Sequence, residues 1–401
     1  MQLLSLLPSP VQMVYPFFVG TAGADYLPLS FNDKIATPPE FASFFSEKLV
    51  YIPNSYYVNS HLQAFGAQPP RSLQVDESGE KAWEGDWREK ESGGNAESYF
   101  DAVIQARKDQ FLPPDGPVIC NFNQIYKVDG ETYATWMGVL EKEPAASLWL
   151  RTEGENTHDV LLQHAKRLRV NARRIVFAKW APSSASHVSR IALASLSLDT
   201  PLYNSMTTAC DALWAGVPLV TSPGEKMVSR LGASILLALN VPWLVARDTP
   251  EYAVLGALIV RAAAMQFSAA KLRAEAAVAE KAALVAAAKA GEKRKRENKP
   301  VDLLAAVAGS RKVKEVRPGA GAEVLTPQQL LLVHLKDAFH RARLESSLFN
   351  MEAKADQIVT GLRLAWEIYS SPTHSRGHRG RASKGYWTRI YHTNSDNYSS
   401  T

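Results

Sequence analysis

The sequence predicts an α/β protein built around a parallel sheet with helices on both faces. Two observations carry this. Between residues 101 and 255, short apolar runs alternate with amphipathic stretches long enough for helices, a pattern that a parallel sheet imposes on its chain. The run SLSLDTPLYNSMTTACDALWAGVPLVTSPG (195–224) reads as strand, turn, helix and strand in close succession. Right-handed crossovers between such units give a Rossmann-like lobe, whose ligands sit beyond the carboxyl ends of the strands.

Residues 1–65 have an ordered composition but fall short of a domain, and residues 66–100, polar and rich in Gly, Glu and Asp, read as a linker. Strands are expected at 117–122, 147–151, 174–178, 195–199, 218–222 and 242–246. Helices are expected near 131–142, 156–168, 185–193, 207–215 and 225–239. These fill a lobe spanning 101–260. Residues 261–326 begin with an Ala/Lys/Glu-rich run that favours a helix yet offers little surface to bury. It lacks the large apolar seam of a coiled coil and ends in a loop containing Gly and Pro. Helices follow at 327–345 and 351–370, then a basic, polar tail over 371–401 that reads as disordered.

The 401 residues allow two domains, and 46% hydrophobic content allows a sizeable core. Two cysteines, Cys120 and Cys210, make neither a disulfide framework nor a zinc spacing, which points to a reducing compartment. The apolar start, MQLLSLLPSPVQMVYPFFVG, lacks the basic flank of a secretion signal and carries three prolines. No segment reads as a membrane span. The net charge of +5 is modest for this length. KRKR at 293–296 fits a solvated helix end, or else a nuclear-import or nucleic-acid patch. Nucleic acid is not the expected partner.

Chemistry concentrates at the helix beginning near Thr207. A helix start offers unpaired N–H groups and about half a positive charge, a natural seat for phosphate. Thr207 and Thr208 stand at that start and Asp211 lies one turn on. Each also has an ordinary structural reading, the threonines as caps and the aspartate as a complement to the helix dipole.

Four runs in order, CNFNQIYKVD (120–129), LWL (148–150), RIVFAKWAP (174–182) and LDTPLYNSMTTACDALWAGVPLVTSPGE (198–225), resemble the catalytic region of protein O-linked N-acetylglucosamine (O-GlcNAc) transferases. PSPVQMVYPFFVGTAGADY (8–26) and SEKLVYIPNSYY (46–57) resemble the end of that family's N-terminal catalytic lobe, and ESSLFNMEAKADQIVTGLRLAWEIY (345–369) its C-terminal helices. The resemblance implies a GT-B glycosyltransferase fold, with a largely complete Rossmann-like C-terminal lobe and a truncated N-terminal lobe. It implies inverting transfer of N-acetylglucosamine from UDP-N-acetylglucosamine to Ser or Thr hydroxyls of cytoplasmic or nuclear proteins. No cofactor or metal is implied, which suits a sequence without an Asp-x-Asp motif.

Residue by residue, Lys127 matches a lysine at the distal phosphate, where a fixed cation stabilises the leaving group. Gln124 matches a glutamine at the phosphates, and Thr207 and Thr208 the threonines at the pyrophosphate. Asp211 matches the carboxylate on the ribose; Ala181 and His187 match the uracil contacts, His187 being displaced by one inserted residue. Without the resemblance, Lys127, Gln124 and His187 would read as ordinary surface or structural residues.

Several positions depart from the family pattern. Met206 stands where the family has a histidine touching donor sugar and phosphate, and a thioether cannot donate a hydrogen bond. Ser205 and Ala209 replace neighbouring glycines, Ser183 stands near a ribose-binding lysine, and Phe17 replaces a glycine beside the sugar. The first part of the N-terminal lobe and the helical repeats that present protein substrates are not found. Two rival readings follow: a protein O-fucosyltransferase using GDP-fucose, and a non-catalytic remnant that binds a nucleotide or a partner.

Overall fold

A computed structural model describes residues 4–9, 11–15, 18–66, 96–152, 154–265, 268 and 346–370. Phe17, KRKR at 293–296, the expected helix at 327–345, the tail from 371 and nearly all of the expected linker and insertion lie outside the described residues.

Two parallel sheets organise the chain. The first joins β1 (Met13–Val14), β2 (Leu29–Asn32) and β3 (Lys48–Tyr51) in that order, with Leu29 opposite Lys48 and Asn32 opposite Tyr51. A short helix, α1 (His61–Phe65), follows, then α2 (Ala96–Asp109). The stretch read as a linker to residue 100 is therefore helical from Ala96.

The second sheet has the strand order β6-β5-β4-β7-β8. Its chain runs β4 (Val118–Asn121), α3 (Gly130–Lys142), β5 (Ser147–Leu150), α4 (Glu155–Arg167), β6 (Ile175–Phe177), α5 (Ser184–Ile191), β7 (Leu196–Leu198), α6 (Thr207–Trp214) and β8 (Leu219–Val220). β4, β5, β7 and β8 are buried along their whole length, which is why they appear as unbroken apolar runs rather than alternating ones. Strand order reverses at β4: the chain moves outward through β5 and β6, then returns to place β7 on β4's other side.

Helix ends are defined by side chains. The Asp129 carboxylate accepts from the N–H groups of Glu131 and Thr132 at the start of α3. The Arg174 guanidinium collects the carbonyls of Leu140, Glu143 and Ala146 at its end. Trp136, Trp149 and Trp214 are fully buried around the sheet. Gly116 turns the chain into β4 at φ +84°, where a side chain would strike the Ala145 carbonyl.

Two expected elements differ. The strand at 242–246 is a 3-10 turn, Pro242–Leu244, followed by a single bridge between Thr221 and Val245. Pro242 has no N–H for a ladder. The helix expected at 225–239 is interrupted: a 3-10 turn, Met227–Ser229, precedes α7 (Leu231–Ala238). The Gly232 N–H there goes to the Asn204 side chain. Helix α8 (249–265) continues through the boundary expected at residue 260.

The last described helix, α9 (Met351–Ser370), returns to the first sheet. A Cβ on Gly361 would lie 2.6 Å from the Phe31 ring on β2, so the two elements meet at the glycine. Lys354, buried, donates to the Ser55 carbonyl, and Asn59 Nδ2 donates to the Leu348 carbonyl at 2.8 Å. Buried Asp33 accepts from Tyr56 N–H at 2.8 Å and from Ser234 Oγ on α7 at 2.7 Å. Residues 18–66 are thereby joined to both the second sheet's helices and α9.

Candidate functional site

Strand order reverses at β4, and in an open parallel sheet that switch point marks the crevice, beyond the carboxyl ends of the strands, where ligands bind. Two loops meet there, 122–129 after β4 and 199–206 after β7. Asn121 Nδ2 donates to the Leu198 carbonyl at 2.7 Å and pins the two strand ends together. Asn123 then links both loops to α6. Its Nδ2 donates to Thr200 Oγ1 at 3.0 Å and Ser205 Oγ at 2.6 Å, and its Oδ1 accepts from Thr208 Oγ1 at 2.7 Å.

Below Asn123, fully buried Asp199 organises the second loop. It accepts from the backbone N–H groups of Thr200 and Ser205, from Ser205 Oγ and from Thr221 Oγ1. Burial raises its pKa against the opposing effect of these bonds. Gly232 packs so closely that a Cβ would collide with the Asp199 carboxylate and lie 2.5 Å from Thr221 Oγ1.

Lys127 closes a short 3-10 turn, Ile125–Lys127. Its Nζ donates to the Asn204 carbonyl at 3.0 Å and lies 4.1 Å from the centre of the Tyr203 ring. Burial lowers its pKa, with Asp199 acting in the opposite sense. The cation is thus held between the two loops, with one N–H donated to Asn204 and its charge set over the Tyr203 ring. Gln124 precedes the turn and is exposed.

Thr207 and Thr208 open α6, as expected. Thr208 is bonded to Asn123, and Thr207 Oγ1 lies 2.6 Å from the Tyr57 hydroxyl. Met206 is the N-cap and makes no side-chain cap bond. Its thioether is part-buried and packs against apolar residues of both sheets' cores. Ser205 and Ala209 are buried, Ser205 in the Asp199 network and Ala209 in the apolar core.

One turn into α6, Asp211 meets two histidines. Its Oδ1 is 2.8 Å from His61 Nε2, and its Oδ2 is 3.7 Å from His187 Nε2. His187 also approaches Arg190 at 3.0 Å and packs edge-on against Phe122. Burial pushes the His187 pKa down to about 4. The ring is neutral at neutral pH, so its approach to Asp211 is not an ion pair there. Ala181 lies half-buried between β6 and α5, on the same edge of the sheet. Ser183 is the N-cap of α5, its hydroxyl engaged in a reciprocal capping box with Ser186. A shallow basic depression lined by Lys166, Arg169 and Arg173 lies where α4 leads into β6, at the amino edge. It contains none of these residues.

The structure therefore links Lys127 to Thr208 through Asn204, Thr200 and Asn123, bonds Thr207 separately to Tyr57, and sets His187 3.7 Å from Asp211. Topology alone puts Gln124 and Ala181 on the same edge. Residues here that were not singled out from the sequence include Tyr57, His61, Asn123 and Asp199. Asn123 and Asp199 lie inside the runs CNFNQIYKVD and LDTPLYN, where polar residues directly follow buried strands. Tyr57 and His61 contact partners 150 residues away, beyond the reach of local pattern.

Comparison with known proteins adds a family. The model of glycosyl transferase family 41 matches residues 1–88 and 67–285. A probable UDP-N-acetylglucosamine–peptide N-acetylglucosaminyltransferase, SEC, of Arabidopsis thaliana is 33% identical over 237 residues, covering 59% of this chain and 21% of the relative. The UDP-N-acetylglucosamine–peptide N-acetylglucosaminyltransferase of Caenorhabditis elegans is 26% identical over 327 residues, covering 63% and 28%. The chain thus spans between a fifth and three-tenths of these relatives' length. Among solved structures, an O-GlcNAc transferase mutant of Thermobaculum terrenum is similar with a TM-score of 0.58 at 17% identity, over 91% of this chain and 50% of that one. At that identity the likeness establishes the fold, an α/β glycosyltransferase architecture of the GT-B kind.

Proposed function

The chain belongs to glycosyl transferase family 41, and from that premise we propose that its carboxyl-edge crevice binds the nucleotide of UDP-N-acetylglucosamine. In this reading it takes part in transferring N-acetylglucosamine to Ser or Thr hydroxyls of proteins in the cytoplasm or nucleus. The acceptor hydroxyl oxygen attacks the anomeric carbon and loses its proton to solvent, the bond to the phosphate oxygen breaks, and UDP departs with the electron pair. Lys127 and the N–H groups at the start of α6 meet the diphosphate's charge, so no metal is required. Gln124 supports the phosphates, Asp211 the ribose, and Ala181 with His187 the uracil.

The observation that carries this reading is the Asn123 network. It fastens the loop bearing Lys127 to the start of α6 at the point where strand order reverses. A diphosphate seated there would displace the Asn204 carbonyl as the partner of Lys127. Calorimetric titration with UDP tests it. Lys127→Ala should weaken binding roughly tenfold to a hundredfold, the value of one charge-assisted bond. An unchanged dissociation constant contradicts the role.

A second reading is favoured by Met206. Its thioether packs into the apolar cores, at the position where the resemblance expects a histidine touching the sugar, and a thioether cannot donate a hydrogen bond. The chain would then hold UDP without turning over the sugar. Binding of UDP with no transfer from UDP-N-acetylglucosamine supports this reading; transfer to a peptide removes it. The GDP-fucose alternative draws no support from the relatives, whose names carry UDP-N-acetylglucosamine. Transfer from GDP-fucose alone would reinstate it.

A further inference from the structure

We infer that His61 is the positioning residue for Asp211, so that residues 18–66 supply part of the ribose subsite. The inference rests on the proposed UDP reading of the crevice. Asp211 has a carboxylate with two unequal oxygens. Oδ1 is held by His61 Nε2 at 2.8 Å, and Oδ2 lies 3.7 Å from His187 Nε2, beyond hydrogen-bond reach. The side chain is 14% exposed. One oxygen is anchored and the other is left to accept from a ligand hydroxyl, the division that an orienting partner produces.

His61 is itself held chiefly by packing. Asn59 Oδ1 lies 3.2 Å from its Nδ1, oriented by donation from Asn59 Nδ2 to the Leu348 carbonyl; with Nε2–H given to Asp211, that contact is a hydrogen bond only when Nδ1 also carries a proton. The ring packs against Phe65, Trp214 and Phe349, at centroid distances of 5.7, 5.8 and 5.7 Å. An imidazole serving only as filler would not need a ring nitrogen aimed at a carboxylate. Oriented in this way, it sets the direction in which Asp211 presents Oδ2.

The test compares UDP with 2′,3′-dideoxy-UDP on the whole chain. Wild type should bind UDP roughly tenfold or more tightly, since the analogue lacks the hydroxyls that a carboxylate would accept. His61→Phe keeps the aromatic packing and removes the donor. It should weaken UDP toward the analogue's affinity while leaving the analogue's own affinity within about twofold, bringing the ratio near one. Asp211→Ala should collapse the ratio likewise. If His61→Phe weakens both ligands equally, or leaves the ratio intact, the positioning role is overturned while the UDP site stands. If wild type binds neither ligand, the UDP reading itself fails and this inference falls with it. Unfolding midpoints of the variants guard against misfolding. Should His61→Phe fail to fold, His61→Leu, which also lacks a donor, replaces it and is judged by the same ratio.

Discussion

Asn123 is the joint on which the crevice depends, and two substitutions there give a sharp prediction. Asn123→Ala removes two donated bonds, to Thr200 Oγ1 and Ser205 Oγ, and one accepted from Thr208 Oγ1. A net intramolecular hydrogen bond contributes about 0.5–1.5 kcal/mol. Thr200 and Ser205 keep their own donations, to the Tyr203 carbonyl and to Asp199, so neither is orphaned. Thr208 is half-buried at a helix start and can turn to water. The cost is therefore about 2–3 kcal/mol.

Asn123→Asp keeps the shape but should cost more. It sets an oxygen where Nδ2 stood, facing Ser205 Oγ, whose proton is already given to Asp199. It also brings a second carboxyl group toward Asp199, whose pKa burial has already raised. Two buried acceptors facing each other with a charge to desolvate should exceed about 3 kcal/mol. Urea unfolding followed by tryptophan fluorescence reads this directly, because Trp136, Trp149 and Trp214 are all buried around the same sheet. The expected order of midpoints is wild type, then Ala, then Asp. An Asp variant as stable as wild type, or more stable than Ala, would refute the network as described.

Gly232→Ala should destabilise by about 1–3 kcal/mol, because the new methyl meets Asp199 and Thr221, both locked by hydrogen bonds; an unfolding midpoint within error of wild type would contradict it. His187 has a pKa of about 4 in the folded chain against about 6.5 unfolded. The unfolded state therefore binds the extra proton first, and stability should fall by up to about 3 kcal/mol as pH drops from about 6.5 to about 4. His187→Phe should flatten that part of the stability profile, and an unaltered profile would sink the assignment. Met206→His places a donor at the start of α6 and should tighten UDP-N-acetylglucosamine relative to UDP by roughly tenfold in calorimetry. Equal affinities for the two in the variant would deny a sugar contact at that position.

The second sheet was legible because four of its five strands, all but β6, are buried along their whole length and so read as apolar runs. Expected 117–122, 147–151 and 195–199 became Val118–Asn121, Ser147–Leu150 and Leu196–Leu198. The expected start of α6 at Thr207 coincides with the observed one. The strand at 242–246 misled because PWLVA is apolar for a different reason: Leu244 and Ala246 are core residues beside a turn, while Trp243 is half exposed. In the crevice, local sequence indicated Lys127 and the threonines but not what holds them. Asn123 works through residues 77 to 85 positions away, and His61 through one 150 away. Such partners carry no periodicity, so only the closed fold displays them. Ser183 shows the converse: a position near an expected ligand contact is occupied by a residue committed to capping α5.

The burial of Lys354 against the Ser55 carbonyl has a consequence for how the chain is made. Those groups are 299 residues apart, and the nearby Asn59–Leu348 bond spans 289. During synthesis, β1–β3 emerge long before the helix that covers them, and loop closure over such distances is slow. The second sheet, whose contacts are more local, can form first and offer Ser234 to Asp33 as an early foothold. Helix α9 then acts as a late fastener, and a ribosome paused before residue 346 would hold a formed second sheet with an uncovered first one. Protease sensitivity of residues 18–66 in such stalled chains, lost on addition of α9, would register that order of events.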